Sequence, residues 1–397
     1  MKSNKLVGIF GDTSYDKKIR RIFGNSLIGY WPLDEKSGTV AYDRSGNLRN
    51  GAHTGVTLLN PGAELLTNGG FEVTGAGGAD VFGTWNETVN VGTSVVERTT
   101  TEGEFHGGQS ALKITRGDAI VEAFQTIAAI PGATYTLRLW MKGRTRLKVL
   151  GTGSLNVLAV ASYNTAEFEE YEFTIQNPTG NATLAVYCID GGAAGESGYF
   201  DDVSVVATSP NGIRGLTAPY FDGTNDFVNI YSAALAAAFN GAEGTLLTWA
   251  RVSGAGVWTD GMFRNIITID ADASNYLRFY RSSVNNVISL YYKAATVAES
   301  ISVTGLPDNG WMQLGLTWNK AADEVKGYKN GAQIGTTQTT LGEWAGAPAA
   351  TTTVIGAATT APTGVWSGLI GPTALLNYAA TPAQIKAAYD AALPLPA

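Results

Sequence analysis

"LIGYWPLDEKSGTVAYDRSGN", residues 27–47, opens on a short apolar run and then passes through two glycine-containing turns. The run is too short for a buried helix, and its Ile, Tyr and Trp suit a pleated, packed surface, so it reads as a strand. A strand needs a neighbour. The next stretch of the same character, "YFDGTNDFVNIYS", does not begin until residue 220. Between them, "NPGAE" (60–64) and "ATSPNG" (207–212) punctuate the chain with Pro and Gly. They enclose about 145 residues, the size of one domain.

The rest of the chain alternates in short runs: "SALKITR", "TYTLRLWMK", "TLAVYCI", "TLLTWARV", "NIITIDA", "YLRFYR", "VISLYYK", "WMQLGLTWN". Runs of this kind, closely spaced, predict half-buried strands of sandwiches. "KNGAQ" (329–333) carries the Asn-Gly pair of a tight hairpin. Helical pattern is confined to 15–23, 232–239 and 381–392. The last has Thr381 as N-cap, Pro382 at its first position and Gln384 where a capping box needs it. The predicted fold class is all-β: two jelly-roll sandwiches, one nested in a loop of the other, with short peripheral helices. The expected boundaries are an N-terminal arm at 1–26, a first outer piece at 27–60, an inserted sandwich at 64–208, a second outer piece at 210–392 and a tail at 393–397.

Composition narrows the function. Of 397 residues, 15% are charged and 44% hydrophobic, with a net charge of −7. This is globular, and the acidic balance argues against a nucleic-acid partner. The lone cysteine, Cys188, lies in an alternating run and reads as a core thiol. With only two histidines, His53 and His106, structural zinc has too few ligands. The N-terminal "LVGIF" is too short for a signal-peptide core, and no stretch has the length of a membrane span. Synthesis in the cytoplasm without membrane insertion is expected.

The outer pieces resemble laminin-G-like, concanavalin A-like domains, through "YWPLDEKSG", "DRSGNLRNG", "YFDGTNDFVNI", "GTLLTWARV", "WMQLGLTWNK", "VKGYKNGAQIG" and "WSGLIGPTALLNYAATPAQI", in family order. The resemblance implies that the first strand pairs with the last, so that an insertion in between leaves the sheets undisturbed. The central segment resembles jelly-roll carbohydrate-binding modules, through "LLTNGGFE", "HGGQSALKIT", "IPGATYTLRLWMKG", "FEEYEFTI" and "GYFDDVSVV".

That second resemblance implies a structural Ca²⁺ held by Glu72 with Asp201 or Asp202 and by carbonyls near 107–110; carboxylates that only cap strand ends or accept backbone hydrogen bonds are the alternative. A second candidate Ca²⁺ cluster is Asp43, Asn47 and Asn50 with Asp222 and Asp226; Asx-turns are the alternative. Candidate glycan platforms are Trp85, Phe105, His106, Tyr163 and Tyr187 in the insert. In the outer pieces they are Trp258, Tyr276, Tyr280, Tyr291, Tyr292 and Trp344; Trp258 and Trp344 stand out because they lie in Gly-rich loops, where a packed loop anchor is the alternative and the favoured reading. Catalytic residues are expected to be absent. Asp270 and Asp272 stand in a strand without the Glu-x-Asp-x-Glu pattern of laminarinase-type glucanases, and Glu167, Glu169 and Glu170 read as a solvated face. The basic amphipathic segment Lys17, Lys18, Arg20, Arg21, Ile22 and Phe23 reads as a docking arm for other subunits; a disordered tail, or a segment packed on its own sandwich, is the alternative.

The expected function is non-enzymatic glycan binding and display. The favoured setting is a virion surface, as capsid decoration or a tail-associated adhesion protein, because laminin-G-like domains that open in this way are common in bacteriophage structural proteins. The alternatives are an exported, extracellular accessory of a polysaccharide-degrading bacterium and purely structural cladding.

Overall fold

The computed structural model describes residues 14–78, 80–88, 92–151, 157–178, 180–208, 216–283, 286–307 and 310–393. The first thirteen residues of the arm and the last four of the tail lie outside this set. Residues 1–59 and 211–397 form one compact unit and residues 60–210 another. The chain is built of antiparallel strands with few short helices.

The outer unit begins with helix α1 (Ser14–Phe23), β1 (Leu27–Trp31), β2 (Val40–Ala41) and β3 (Gly51–Thr54). The inserted unit follows with β4 (Thr74–Gly77), β5 (Asp80–Phe82), β6 (Asn86–Glu87), β7 (Val95–Thr99), β8 (Ala111–Thr115), β9 (Glu122–Ala128), β10 (Thr134–Leu150), β11 (Val157–Gln176), β12 (Thr183–Asp190) and β13 (Ser197–Ala207). The outer unit resumes with β14 (Tyr220–Asp222), β15 (Phe227–Asn229), α2 (Ala233–Ala238), β16 (Glu243–Val252), β17 (Arg264–Asp270), β18 (Tyr276–Arg281), β19 (Ile288–Ala294) and β20 (Val297–Val303). It closes with β21 (Met312–Asn319), β22 (Glu324–Lys329), β23 (Ala332–Gln338), β24 (Thr353–Ile355), β25 (Ser367–Leu376) and α3 (Pro382–Asp390).

One sheet of the outer unit runs β1-β25-β16-β21-β22-β23, and the other runs β2-β3-β15-β24-β17-β18-β19-β20. β1 pairs antiparallel with β25. A core that includes Trp31, Trp318, Trp366, Leu314, Ile267 and Phe279 is buried in this unit. β16 and β25 are buried almost throughout, as strands covered on both faces are. The second cover comes from the helices. Trp249 donates its Nε1–H to the Tyr15 hydroxyl at 2.9 Å and stacks on Tyr389 of α3. The Asn-Gly turn forms as expected, with Asn330 and Gly331 both at positive φ between β22 and β23. The Thr381–Gln384 capping box opens α3.

The arm takes a different course from the docking segment expected. α1 lays Tyr15, Ile19 and Phe23 into its own unit, all buried. Asp16, also buried, accepts the Tyr30 hydroxyl proton at 2.7 Å and pairs with Arg44, which also pairs with Asp34. Phe23 is therefore core and Ile22 is half-buried, while Lys17, Lys18, Arg20 and Arg21 point outward. Burial of an amphipathic face accounts for the helix better than a partner does.

In the inserted unit, β10 and β11 form one long hairpin that belongs to two layers. The first half of β10 pairs with β13 and the second half with β12. The passage between layers lies at the register shift after Met141, where Gly143 takes φ +75 and any Cβ would collide with the Ser197 carbonyl. One layer is β6-β9-β12-β10-β11 and the other β7-β8-β13-β10-β11. Leu137, Leu139, Met141, Leu147, Val149, Phe200 and Cys188 fill the interior, where burial pushes the Cys188 thiol pKa up.

Candidate functional site

The alternation of β9, β10 and β12 decides which side chains reach the open face of the inserted unit. In "RTRLKV" (144–149), Thr145, Leu147 and Val149 point inward, so Arg144, Arg146 and Lys148 point out. Cross-strand partners share a face, and the register gives one continuous row: Asn86, Phe124, Tyr187, Lys148, Val160. Phe124 and Tyr187 stack at 4.7 Å between centroids and 19° between planes. The Lys148 ammonium stands 4.3 Å from the Tyr187 ring centroid and 3.9 Å from Glu122. Burial, and then the charge of Glu122, raise the Tyr187 phenol above its ordinary range.

Two residues along β10, Arg146 faces Ser162 across the ladder. Here the face deepens into a pocket of about 290 Å³, lined by Arg116, Ile120, Arg146, Val160, Ser162, Asp190, Gly191 and Gly192. Asp190 is consumed by the structure: it pairs with Arg116 at 2.7 Å and accepts the Val121 N–H at 3.0 Å. The walls are unusually open for apolar residues, with Ile120 55% and Val160 48% exposed. Of this surface, the sequence reading named only Tyr187. The missed residues had a signal, since period-2 alternation alone places Phe124 beside Glu122 and lines up Arg144, Arg146 and Lys148.

The other candidates separate into groups. Glu72, Asp201, Asp202 and His106 do converge, around the loop 106–110. Glu72 Oε1 accepts the N–H groups of Gln109 and Ser110, and its Oε2 accepts the Ser110 hydroxyl. Asp201 accepts N–H groups from His106, Gly107 and Asp202, and burial raises its pKa to about 6. The His106 ring lies 3.6 Å from the Trp140 ring and bonds Asp202 at 2.9 Å. Ca²⁺ needs about six to eight oxygens. These residues as placed do not fit it, because their oxygens face N–H and O–H donors; among the described residues no three acidic or histidine side chains are grouped to hold a metal.

The outer cluster behaves likewise. Asp43 accepts from the N–H groups of Tyr30, Ser45 and Arg49 and from the Ser45 hydroxyl. Asn47 donates to the Leu27 carbonyl, and Asn50 accepts the Asp43 N–H. Asp222 instead accepts from Thr224 and gives its own N–H to Asp226. These are turn-closing contacts, the alternative reading at this cluster.

Three tryptophan candidates are corrected. Trp85 is buried, stacks near Phe71 and donates to the Asn68 carbonyl. Trp258 is 2% exposed, donates to the Pro307 carbonyl and meets Trp366 edge-on. Trp344 packs on Phe239 and Tyr292 and bonds the Gly346 carbonyl. Each turns its polar edge to a loop carbonyl, so a Gly-rich loop here closes over an indole rather than displaying it. Tyr292 is core as well. Tyr163 is half-buried and lies against Tyr171 at 4.0 Å. Phe263, Tyr280, Tyr291 and Tyr276 form a row on the outer unit. Two cations stand over Tyr276: Arg278, held by both oxygens of Asp270, and Lys293, which donates to the Ala273 carbonyl. Asp272 caps the turn at Ser274 and Asn275.

Among solved structures, the chain is similar to TmCBM61 in complex with β-1,4-galactotriose, at 20% identity over 36% of this chain and 99% of that one, with a TM-score of 0.30. A CBM4 structure matches at 20% identity over 36% of this chain and 99% of that one, TM-score 0.28. The CBM40 of the Ruminococcus gnavus IT-sialidase matches at 10% identity over 43% of this chain and 91% of that one, TM-score 0.33. No curated protein matches the chain. Residues 236–386 match the Laminin_G_3 model, described as the concanavalin A-like lectin/glucanases superfamily. That match lies within the outer unit, from α2 through strands β16 to β25 into α3, and covers less than half of the chain.

Proposed function

We propose that the protein binds glycans without cleaving them, through the open face of the inserted unit. The observation that carries this is the stacked Phe124–Tyr187 pair at the side of a pocket ringed by arginine, serine and apolar walls. Sugar rings present apolar C–H faces and polar rims, and amphipathic aromatics beside hydrogen-bonding side chains complement both. The match of the outer unit to a lectin/glucanase superfamily supports the same class of ligand. Hydrolysis has less support: it needs two carboxylates facing each other about 5–10 Å apart, whereas Asp190 is locked to Arg116 and Asp270 to Arg278.

Affinity electrophoresis through gels cast with a panel of soluble polysaccharides tests the reading. At least one polysaccharide should retard the protein, Tyr187→Ala should restore its mobility, and no reducing ends should be released. Retardation of the variant equal to that of the parent would sink the assignment of this face. The proposed setting is a virion surface, supported by the opening "YWPLDEKSG" and its likeness to bacteriophage structural proteins; antibody labelling of purified particles tests it. Failure to label particles would favour an exported accessory.

A further inference from the structure

We infer that the ligand is an acidic glycan, and that Arg146 meets a sugar carboxylate in the pocket beside the aromatic pair. This rests on the glycan-binding reading above and adds the chemical class of the ligand. Three cations border this stretch of the face: Arg116, Arg146 and Lys148. The carboxylates beside them are engaged: Asp190 by Arg116 and by the Val121 N–H, Glu122 by Lys148, and Glu196, next to Gly192 of the lining, by Arg144 and the Ala193 N–H. Arg146 is the third cation, and among the described residues no carboxylate lies within ion-pair distance of it. The chain as a whole carries −7, so a local cationic excess at an open pocket runs against its average charge.

The chemistry of the lining favours a carboxylate on a sugar over a bare anion. A guanidinium presents a planar fork that matches a carboxylate with two parallel N–H donors. Ser162, opposite Arg146, adds a hydroxyl that donates or accepts. Ile120 and Val160 supply apolar walls that a small inorganic ion would not use. A volume of about 290 Å³ lies just below the range for drug-sized ligand pockets, room for a single sugar ring rather than a long segment. Arg146 and Lys148 are two residues apart on one face of β10, so a neighbouring sugar would lie beside Tyr187.

The test measures binding of the full chain to tetragalacturonate, to its fully methyl-esterified form, to neutral galactotetraose and to 3′-sialyllactose by calorimetry. Tetragalacturonate or sialyllactose should bind about ten-fold or more tightly than the ester and the neutral probe, as a charge-assisted contact would give; which of the two wins identifies the source of the carboxylate. Arg146→Ala should bring the acidic probe down to the level of the ester, and Arg146→Lys should recover part of the difference. Unchanged circular dichroism and melting temperature check that both variants fold. Equal affinity for acid and ester, or no effect of Arg146→Ala, overturns the acidic assignment while a loss of binding in Tyr187→Ala keeps the glycan reading. Binding of no probe, and no polysaccharide in the electrophoresis panel, overturns both.

Discussion

In the outer unit, Trp31, Trp249, Trp318 and Trp366 are fully buried, and Trp258 is nearly so. In the inserted unit, Phe124 and Tyr187 stand half out of a sheet, with a cation and a pocket beside them. The outer unit has an open row of rings too, Phe263 to Tyr276, but its arginine is spent on Asp270. The lesson is that an aromatic residue becomes a binding group through its neighbours. A ring whose polar edge is taken by a backbone carbonyl is packing, and a ring beside an open pocket, whose lining holds an arginine not paired to a carboxylate among the described residues, is a place for a ligand.

The sharpest way to break this contrast is to remove one ring from each side. Trp366→Ala deletes a fully buried indole and should cost about 3–5 kcal/mol, read as the midpoint of urea denaturation. Trp258→Ala should also destabilise strongly, since it leaves the Pro307 carbonyl without its donor. Tyr187→Ala should cost less than about 1.5 kcal/mol, because its ring is half exposed, yet it should abolish retardation by polysaccharide. A Trp258 variant that keeps its stability and loses glycan binding would reverse the assignment of the two units.

The corner at Glu72 gives the next largest effect. Glu72 satisfies two N–H groups of the loop 106–110, and Gly108, at φ +61, leaves no room for a Cβ beside its carboxylate. Glu72→Ala takes the acceptor from the part-buried Ser110 N–H, while the exposed Gln109 N–H turns to water, and should cost about 1 kcal/mol. Gly108→Ala adds both a clash and left-handed strain, so it should be at least as damaging. If either variant melts like the parent, the corner is not what joins β13 to the first residues of the inserted unit.

A pH series compares buried carboxyls in both units. Burial raises Asp34 and Asp226 of the outer unit and Asp201 of the insert, each to about 6. A carboxyl whose folded pKa lies above its unfolded value of about 3.9 holds its proton more tightly in the folded state. Its stabilising contribution is complete below about pH 4 and is lost as pH rises through about 6. Glu72, with its pKa lowered by the hydrogen bonds it accepts despite burial, works the other way and loses its contribution only as pH falls below the ordinary glutamate range. Between pH 5 and 7.5 the raised groups dominate, and each should lower the stability by roughly 1 kcal/mol. Denaturation midpoints at the two pH values should differ in that direction, and Asp201→Asn should shrink the difference. A midpoint that rises with pH would mean that these carboxyls stay ionised in the folded state below about pH 6.

Much of the fold could be read from local signals. Asn330-Gly331 dictated a hairpin, Thr381-Pro382 with Gln384 dictated a helix start, and alternation gave the strands. These signals act within a few residues, where sequence and geometry are closely coupled. The site was less legible because it is made by register. Nothing local says that Phe124 meets Tyr187 or that Arg146 meets Ser162, since those pairs are set by which strands lie side by side. At the loop tryptophans the sequence left display open beside the favoured packed reading, for the opposite reason. A glycine-rich context suggests display, but Trp258 and Trp344 each found a carbonyl and a partner ring within the core. The arm misled, because its Tyr15, Ile19 and Phe23 spacing, sound for burying one helical face, cannot tell its own sheet from a partner's.

The smallest expected effect separates ion from hydrogen bond at the two acidic clusters. Asp43 accepts from four donors, while Glu72 and Asp201 accept from three each. A carboxylate so engaged already has its charge balanced by N–H dipoles, and an ion would have to displace those donors before it gained any oxygen. Dialysis against EDTA, followed by addition of millimolar Ca²⁺, should therefore move the melting temperature by no more than about 1–2 °C, whereas an ion at a hundred times its dissociation constant would confer roughly 2.7 kcal/mol and raise it by several degrees. A rise of many degrees on adding Ca²⁺, lost in Glu72→Gln but kept in Asp43→Asn, would place an ion in the inserted unit alone. It would also show that the donors around Glu72 turn away when a cation competes for its oxygens.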